Sequence, residues 1–433
     1  MPSATQTEPA VAHCQSCGAE VVSDTDHCPA CGRRLHERSN RITLAITLLL
    51  IFAGMALTQY FVNLHRDTEL GLARRWFTRG EEAMQANLPK GAADAYRTAL
   101  NYDRENEQYR LRLAQALVGV GTRAAVAEAR AHLLSLWEEE PANGEVNLTL
   151  ARLEAHRGRY SQAVRYYNDA INGVWQDDPR QRRIEARFEL TRYFLQQQKW
   201  PRAQAELLAL QADAPPDPAD QLQLGQMLLQ VNDPAHALQA YNAVLSKNDN
   251  NAQAWLGEGQ AYLALSNYAE AERATAKAVE HDPNLPGAHD QLELVRELLR
   301  VDPMLRGLPL AERASRAAKA FEAALTRLSA CAAQQHIDLT ATSGVAPAGK
   351  PGPASSASAP AAPPNVLQLL YASGLQKQPD TTEKALRRDP DGIEPTMQYV
   401  FQVESTLAPT CPNMELTDRA LLTLAQHENE APK

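Results

Sequence analysis

The 433-residue sequence contains none of the short motifs that position catalytic groups. It has no glycine-rich phosphate loop, no nucleophile elbow and no His-Glu-x-x-His helix. The pairs His281/Asp282 and His289/Asp290 are spaced like ordinary residues of a helix surface. We therefore expect a protein that is not an enzyme and that has no small-molecule substrate.

Positive charge is also scarce, with 43 Lys and Arg against 52 Asp and Glu, a net charge of −9. A chain that binds nucleic acid along its surface needs an excess of basic residues, so this balance argues against nucleic acid as a partner. Aromatic residues make up only 6% of the chain, whereas 44% is hydrophobic, which suits an alanine- and leucine-rich helical body.

Cysteines are few, but four of the six form two Cys-x-x-Cys pairs, Cys14/Cys17 and Cys28/Cys31. Each pair can hold one metal ion from a tight turn, and four thiolates close a tetrahedral shell at roughly 2.3 Å, which leaves no open position for substrate. Gly18 and Gly32 follow the second cysteine of each pair, where the backbone often needs positive φ. The spacing predicts a structural Zn²⁺ site with Cys14, Cys17, Cys28 and Cys31 as ligands.

This stretch resembles a bacterial zinc ribbon of the Cys-Pro-x-Cys-Gly type over residues 13–36, after a disordered N-terminus at 1–12. Val21, Val22 and Leu35 are candidates for short strands, and His13, His27 and His36 are expected at the surface. Two disulfides are the alternative, which requires an oxidising compartment. A second alternative is a zinc ribbon that binds nucleic acid through nearby arginines, namely Arg33, Arg34, Arg38 and Arg41.

Ile42 to Val62 is a run of 21 uncharged residues. As a helix it is about 30 Å long, enough to cross a membrane, and a cleaved signal peptide fits poorly because a metal module precedes it. Equal numbers of basic residues lie on the two sides of the run, so their charge does not predict which end of the helix faces the cytoplasm. The prediction of orientation therefore depends on the cysteines. Zinc thiolates persist in a reducing cytosol, which puts the N-terminus inside and the rest in the periplasm of a bacterium.

The two cysteines after the apolar run are Cys331 and Cys411. In an oxidising compartment an even pair forms a disulfide, which is the prediction for these two; two unrelated buried thiols are the alternative.

Residues 73–284 repeat with a period near 34 residues, most clearly in the copy that starts at Ala252. There, Trp255, Gly259, Tyr262, Tyr268, Ala271, Ala278 and Pro283 occupy the signature positions. The pattern resembles tetratricopeptide repeats (TPR), and six copies fit, starting near residues 73, 107, 144, 184, 218 and 252. The predicted fold is therefore mostly α, a TPR α-solenoid preceded by a small zinc ribbon and a single transmembrane helix.

In tetratricopeptide scaffolds the first helix of each repeat lines a concave face, and the resemblance carries two columns of residues onto it. Position 5 gives an apolar column of Phe77, Leu111, Leu148, Phe188, Leu222 and Leu256. Position 9 gives a polar column in which Gln115, Arg152, Arg192, Gln226 and Gln260 are the candidate partner-binding residues. Together the columns suit an extended peptide. The alternative is that the apolar column packs the repeats together and the polar column is a solvated face.

The remaining residues divide by composition into capping helices at 285–342, an Ala/Pro-rich linker at 343–364 and a C-terminal helical segment at 365–433. The predicted function is a non-enzymatic membrane-anchored scaffold that binds protein or peptide partners in bacterial envelope assembly or secretion. The alternative resembles the cytoplasmic TPR regulators of envelope biosynthesis, in which the four-cysteine knuckle follows the repeats instead of preceding the membrane helix.

Overall fold

The computed structural model describes residues 11–22, 25–35, 37–339 and 365–430. The chain divides into two compact units, residues 1–174 and 175–433, here called unit 1 and unit 2. The predicted linker at 343–364 and residues 1–10 of the predicted disordered N-terminus lie outside the described residues.

Unit 1 opens with a small hairpin around the cysteines. Strands β1 (Val11–His13) and β2 (Glu20–Val22) pair antiparallel. The predicted boundary at residue 13 is therefore two residues late, because β2 needs a partner strand and the chain before Cys14 supplies it. Leu35 lies in no strand; it packs against the buried Cys14, Val21 and Cys28 instead.

The next element, α1, is a single helix from Glu37 to Gln85. The predicted transmembrane segment at 42–62 and the start of the first predicted repeat at 73 both lie on this one 49-residue helix. No glycine or proline stands between Met55 and Leu70 to end it. Gln59 bonds to Asn63 at 3.1 Å, and His65 lies 3.3 Å from Glu69, so neighbouring turns are linked through this junction.

After α1, unit 1 consists of helices in which each helix packs antiparallel to the next. Asn106, Thr122 and Asn143 cap α3, α4 and α5 by accepting bonds from backbone amides of the first turn. The helices are α2 (Pro89–Tyr102), α3 (Glu107–Val120), α4 (Arg123–Glu139), α5 (Gly144–His156) and α6 (Tyr160–Ile171). With the C-terminal part of α1, they make three helix pairs.

Unit 2 begins with three further pairs: α7 (Pro179–Gln196), α8 (Trp200–Asp213), α9 (Pro218–Gln230), α10 (Pro234–Leu245), α11 (Ala252–Ala264) and α12 (Tyr268–His281). Only α7 departs from its predicted start, by beginning at Pro179 instead of Ile184. Proline is favoured in the first helical turn, and Asp178 caps it, so residues 179–183 add a turn to α7 before its predicted start.

Glycines let aromatic rings enter between the repeat helices. The Tyr241 ring of α10 is fully buried against Gly225 of α9 and Gly257 of α11, and a Cβ on Gly225 would lie 2.6 Å from Tyr241 Cζ. Tyr96 of α2 packs on Gly80 of α1 in the same way. A small residue at repeat position 8 thus serves close helix packing in both units.

Unit 2 ends in α13 (Ala288–Val301), α14 (Leu310–Gln334), α15 (Val366–Lys377), α16 (Glu383–Arg388), a 3-10 turn (Pro390–Gly392), α17 (Ile393–Leu407) and α18 (Leu416–Glu430). The short α16 was not predicted. α17 packs along α14 and α18 along α13, and their apolar side chains share one core with the last repeat. The C-terminal segment is therefore part of the same packed body as α13 and α14.

Candidate functional site

The four predicted ligands, Cys14, Cys17, Cys28 and Cys31, lie together. Their Sγ atoms are all within 4.8 Å of one another. Cys14 and Cys31 are 3.8 Å apart, and Cys17 and Cys28 are 3.4 Å apart. Four thiols at these separations can hold one metal ion between them.

Two matching turns hold these thiols. The amide of Gly18 donates to the Cys14 carbonyl and that of Gly32 to the Cys28 carbonyl, both at 2.8 Å. The φ angles of Gly18 and Gly32 are +74° and +69°, which confirms the predicted positive φ. A side chain at either position would strain the turn that presents its two thiols.

The thiols also influence one another's ionisation. Backbone amides of Ser16 and Cys17 lower the pKa of the Cys14 thiol to about 6. For Cys17, the Ala19 amide lowers the pKa, but the thiols of Cys31 and Cys28 outweigh it and raise the value to about 12. Closely spaced thiolates repel one another, so a cation favours the ionisation of all four.

A second site candidate is a chain of polar contacts in unit 1. Arg112 of α3 lies 3.4 Å from Glu81 of α1 and 3.1 Å from Glu145 of α5. Gln115 Nε2 of α3 donates to Glu145 at 3.0 Å and contacts Thr149 at 3.4 Å. We call these residues, with Tyr96 at the end of the chain, the polar ladder: Glu81, Tyr96, Arg112, Gln115, Glu145 and Thr149.

The polar ladder is only partly covered. Side-chain exposure is 37% for Glu81, 35% for Arg112 and 41% for Glu145, so solvent and ligands reach all three. At the other end the Tyr96 hydroxyl donates to Glu81 at 2.6 Å. Burial raises the pKa of Tyr96, and the hydrogen bond to Glu81 raises it further. The ladder therefore joins α1, α3 and α5 through side chains that still present charge to the solvent.

Of the predicted partner-binding residues, the structure places Gln115 in the polar ladder and Arg152 at an exposed position on α5. In unit 2, Arg192, Gln226 and Gln260 are exposed on α7, α9 and α11. Each of the five thus lies on the first helix of its pair, at a partly or fully exposed position.

Half of the apolar column is buried between helices. Leu111, Leu148 and Phe188 are buried between helices, and Phe77 stacks on Tyr109 with ring centroids 4.7 Å apart. Leu222 and Leu256 are half-buried, so the column is not uniform; its buried members fit the alternative given for position 5. They pack the repeats together, because a repeat can bury its apolar face only against its neighbours.

Sequence reasoning missed Glu81, Arg112 and Glu145. Glu81 occupies position 9 of the first repeat but is not among the predicted partner-binding residues, and Arg112 and Glu145 lie outside both predicted columns. One signal was present: Arg112 and Glu145 stand 33 residues apart, close to one repeat period, so adjacent first helices bring them together.

Cys331 of α14 is joined to Cys411, which lies between α17 and α18, with a Cα–Cα distance of 5.9 Å. One turn before it, Arg327 pairs with the fully buried Glu404, and its Nη2 lies 3.4 Å from the Cys411 carbonyl oxygen. Its Nε is 3.7 Å from Asp418. Burial lowers the pKa of Arg327 and Asp418 opposes that shift, so this cation links α14 to both C-terminal helices.

Helix pairs of this kind, repeated at a near-constant period, define a tetratricopeptide-repeat protein. Two family profiles match the chain. That of the cytochrome c-type biogenesis protein H TPR domain matches residues 63–181, and that of a tetratricopeptide repeat family matches residues 222–288. The predicted tetratricopeptide repeats are confirmed, and neither matched family is catalytic.

Among solved structures, the chain is similar to YrrB, described as a TPR protein with an unusual peptide-binding site. The identity is 17% over 46% of this chain and 97% of YrrB, with a TM-score of 0.35. PilF of Pseudomonas aeruginosa is 17% identical over 52% of this chain and 97% of its own, with a TM-score of 0.36. PilW, a type IV pilus biogenesis factor, is 18% identical over 52% and 98%, with a TM-score of 0.38. No curated protein sequence gives a significant match.

Proposed function

We propose that the chain is a non-enzymatic, membrane-anchored scaffold whose repeats bind protein or peptide partners during bacterial envelope assembly or secretion. The polar ladder carries this proposal, because it offers partly exposed carboxylates, a guanidinium and an amide on adjacent first helices. Such groups bind the backbone and charged side chains of an extended peptide. The match to the TPR domain of a c-type cytochrome biogenesis protein supports a role in envelope assembly.

The N-terminal cysteines hold a structural Zn²⁺ in this proposal. Tetrahedral zinc with sulfur ligands at about 2.3 Å requires sulfur separations of about 3.8 Å. The Cys14–Cys31 separation of 3.8 Å equals that value, the Cys17–Cys28 separation of 3.4 Å is somewhat shorter, and all four Sγ atoms lie within 4.8 Å of one another. Bound zinc would cross-link the two turns, and the four cysteines leave no ligand position for catalysis.

The apolar stretch of α1 anchors the chain. By length and composition α1 can cross a membrane from Ile42 onward, and its most apolar stretch is entirely exposed. Exposure on all sides is unlike the core helix of a soluble protein and suits a helix surrounded by lipid. The Cys331–Cys411 disulfide supports an oxidising compartment for unit 2, so we place the N-terminus in the cytoplasm and the repeats in the periplasm.

Two other functions make opposite predictions. A regulator with its repeats in the cytoplasm would have free thiols at Cys331 and Cys411. A nucleic-acid-binding ribbon would use Arg33 and Arg34, but Arg33 bonds to Ser16 at 2.8 Å and Arg34 to His27 at 3.1 Å. Both arginines thus have partners within the ribbon, which favours the scaffold.

Partner capture tests the scaffold. Glu145→Gln with Gln115→Ala should weaken crosslinking of partners in native membranes while changing the free energy of unfolding by no more than about 1 kcal/mol, because exposed ion pairs contribute little. The matched control is Glu138→Gln, an exposed glutamate on α4. Equal capture by the double variant and the control would exclude the polar ladder as the binding surface.

Reporter fusions test the orientation. A reporter that is active only outside the cytoplasm should be active when fused after Ala346 and inactive when fused after Asn40. The reverse pattern would place the repeats in the cytoplasm and favour the regulator.

A further inference from the structure

The membrane segment and the first residue of the polar ladder belong to the same helix. Glu81, at one end of the ladder, is on α1, which runs without interruption from Glu37 to Gln85. A flexible linker would let the repeats take any height above the bilayer, whereas a helix fixes that height. At about 1.5 Å per residue, the 19 residues from Val62 to Glu81 place the ladder about 28 Å beyond the apolar segment.

The junction has the features of a stiff helix. Gln59–Asn63 and His65–Glu69 link successive turns on either side of Leu64. Thr68 bonds back to the carbonyl of His65 at 2.6 Å. From Ala73 onward α1 is held against α2 by buried side chains. One end of α1 is thus packed into unit 1. The stretch from Met55 to Leu70 has no glycine or proline, and Gly71 is the one glycine between that stretch and Ala73.

We infer that the polar ladder serves a partner anchored in the same membrane, whose recognised segment stands about 28 Å from the hydrocarbon boundary. This inference rests on the proposed anchor and binding function. A tether of fixed height raises the effective concentration only for a binding segment at that height. For a partner that diffuses freely in solution, the stiff α1 helix does not raise the effective concentration, because such a partner can reach the polar ladder at any height.

The experiment changes the height of the ladder without turning it. Seven alanine-rich residues inserted after Leu64 raise the ladder by about 10 Å and rotate it by only about 20°, because seven residues nearly complete two helical turns. Both side-chain pairs that flank Leu64 are kept. The control replaces residues 64–68 with the same number of Gly and Ser residues, which restores a range of heights.

The readout is the yield of adducts from a cleavable photo-crosslinking amino acid at position 152, which is exposed on α5 outside the polar ladder, seven residues beyond Glu145 and so on the same face. It is measured in native membranes and again after detergent extraction. In membranes the insertion should lower the yield at least about tenfold, and the Gly/Ser control should lower it less. Detergent removes the bilayer that sets the height, so the insertion variant, the Gly/Ser control and the unmodified chain should then give equal adduct yields. After cleavage, the partner should stay in the membrane fraction through alkaline extraction.

Two outcomes overturn the inference while leaving the proposed function in place. One is an insertion variant that crosslinks as well as the unmodified chain in membranes, and the other is a partner that alkaline extraction releases. Failure of the proposed function gives a different result: crosslinking at position 152 would be insensitive to Glu145→Gln in every background.

Discussion

Loss of the Cys331–Cys411 disulfide should weaken the C-terminal segment of unit 2 without releasing it. The bond joins residues separated by 80 positions, and the loop between them includes the Ala/Pro-rich stretch. Chain entropy for a loop of that length corresponds to a stabilisation of about 4.5 kcal/mol, an upper figure because strain reduces it. Replacement of both cysteines by serine therefore lowers the free energy of unfolding of this segment by up to that amount.

The segment nevertheless has other attachments. Val400, Val403 and Leu407 of α17 are fully buried in the core that α14 shares. Arg327 adds its pairing with Glu404, and breaking a buried ion pair by removing one partner costs about 3–5 kcal/mol. These contacts form independently of the disulfide, so the helices should stay docked in the serine variant.

Hydrogen exchange of the intact protein measures both effects. In the serine variant, protection of α17 amides should fall by up to about three orders of magnitude, since each 1.4 kcal/mol is a factor of ten. Protection of α3 in unit 1 should not change. Exchange of α17 at free-chain rates would refute the docking by core contacts, and unchanged protection would refute the role of the disulfide. Adding Arg327→Met should release the segment, because it leaves Glu404 buried without its partner.

Three further predictions concern metal, packing and pH. Cys28→Ser should abolish binding of one zinc per chain while the repeats stay folded, as metal analysis and circular dichroism of the purified protein would show; a variant that retains zinc contradicts the site. Gly225→Ala should lower the free energy of unfolding by about 1–3 kcal/mol, because its Cβ meets Tyr241. Gly71→Ala on α1, with open space around it, is the matched control and should be neutral or stabilising. Burial raises the pKa of Asp302, so its charged form opposes folding and stability declines as pH rises through the unfolded pKa toward the folded one. Asp302→Asn should therefore stabilise unit 2 more at pH 7 than at pH 3 in urea titrations, and an equal gain at both would show that charge is not the cause.

The repeat helices were the most predictable part of the fold. The predicted starts at 107, 144, 218 and 252 coincide with the first residues of α3, α5, α9 and α11. Close packing of two helices requires small and large residues at fixed positions of each repeat. The sequence pattern therefore predicts where each repeat helix begins. The continuity of α1 was harder to predict. The apolar run ends near Val62, but no residue there ends the helix.

The candidate sites differ in the same way. Cys14 and its three partners were predictable because a metal shell requires one residue type at a narrow spacing. The polar ladder was not, since an Arg–Glu contact between neighbouring repeats depends on how two helices stack. The burial of Leu148 could not be predicted from the sequence either, because a leucine at position 5 can line a groove or pack between two repeats.

The packing of α17 and α18 has a consequence for self-association. A stack of repeats ends in an apolar face that fits the first face of another copy, and such head-to-tail contacts do not close but grow into filaments. In unit 2 the chain covers α13 and α14 with its own C-terminal helices, attached through Arg327 and the disulfide. That end of the repeats therefore does not present its apolar face to another copy.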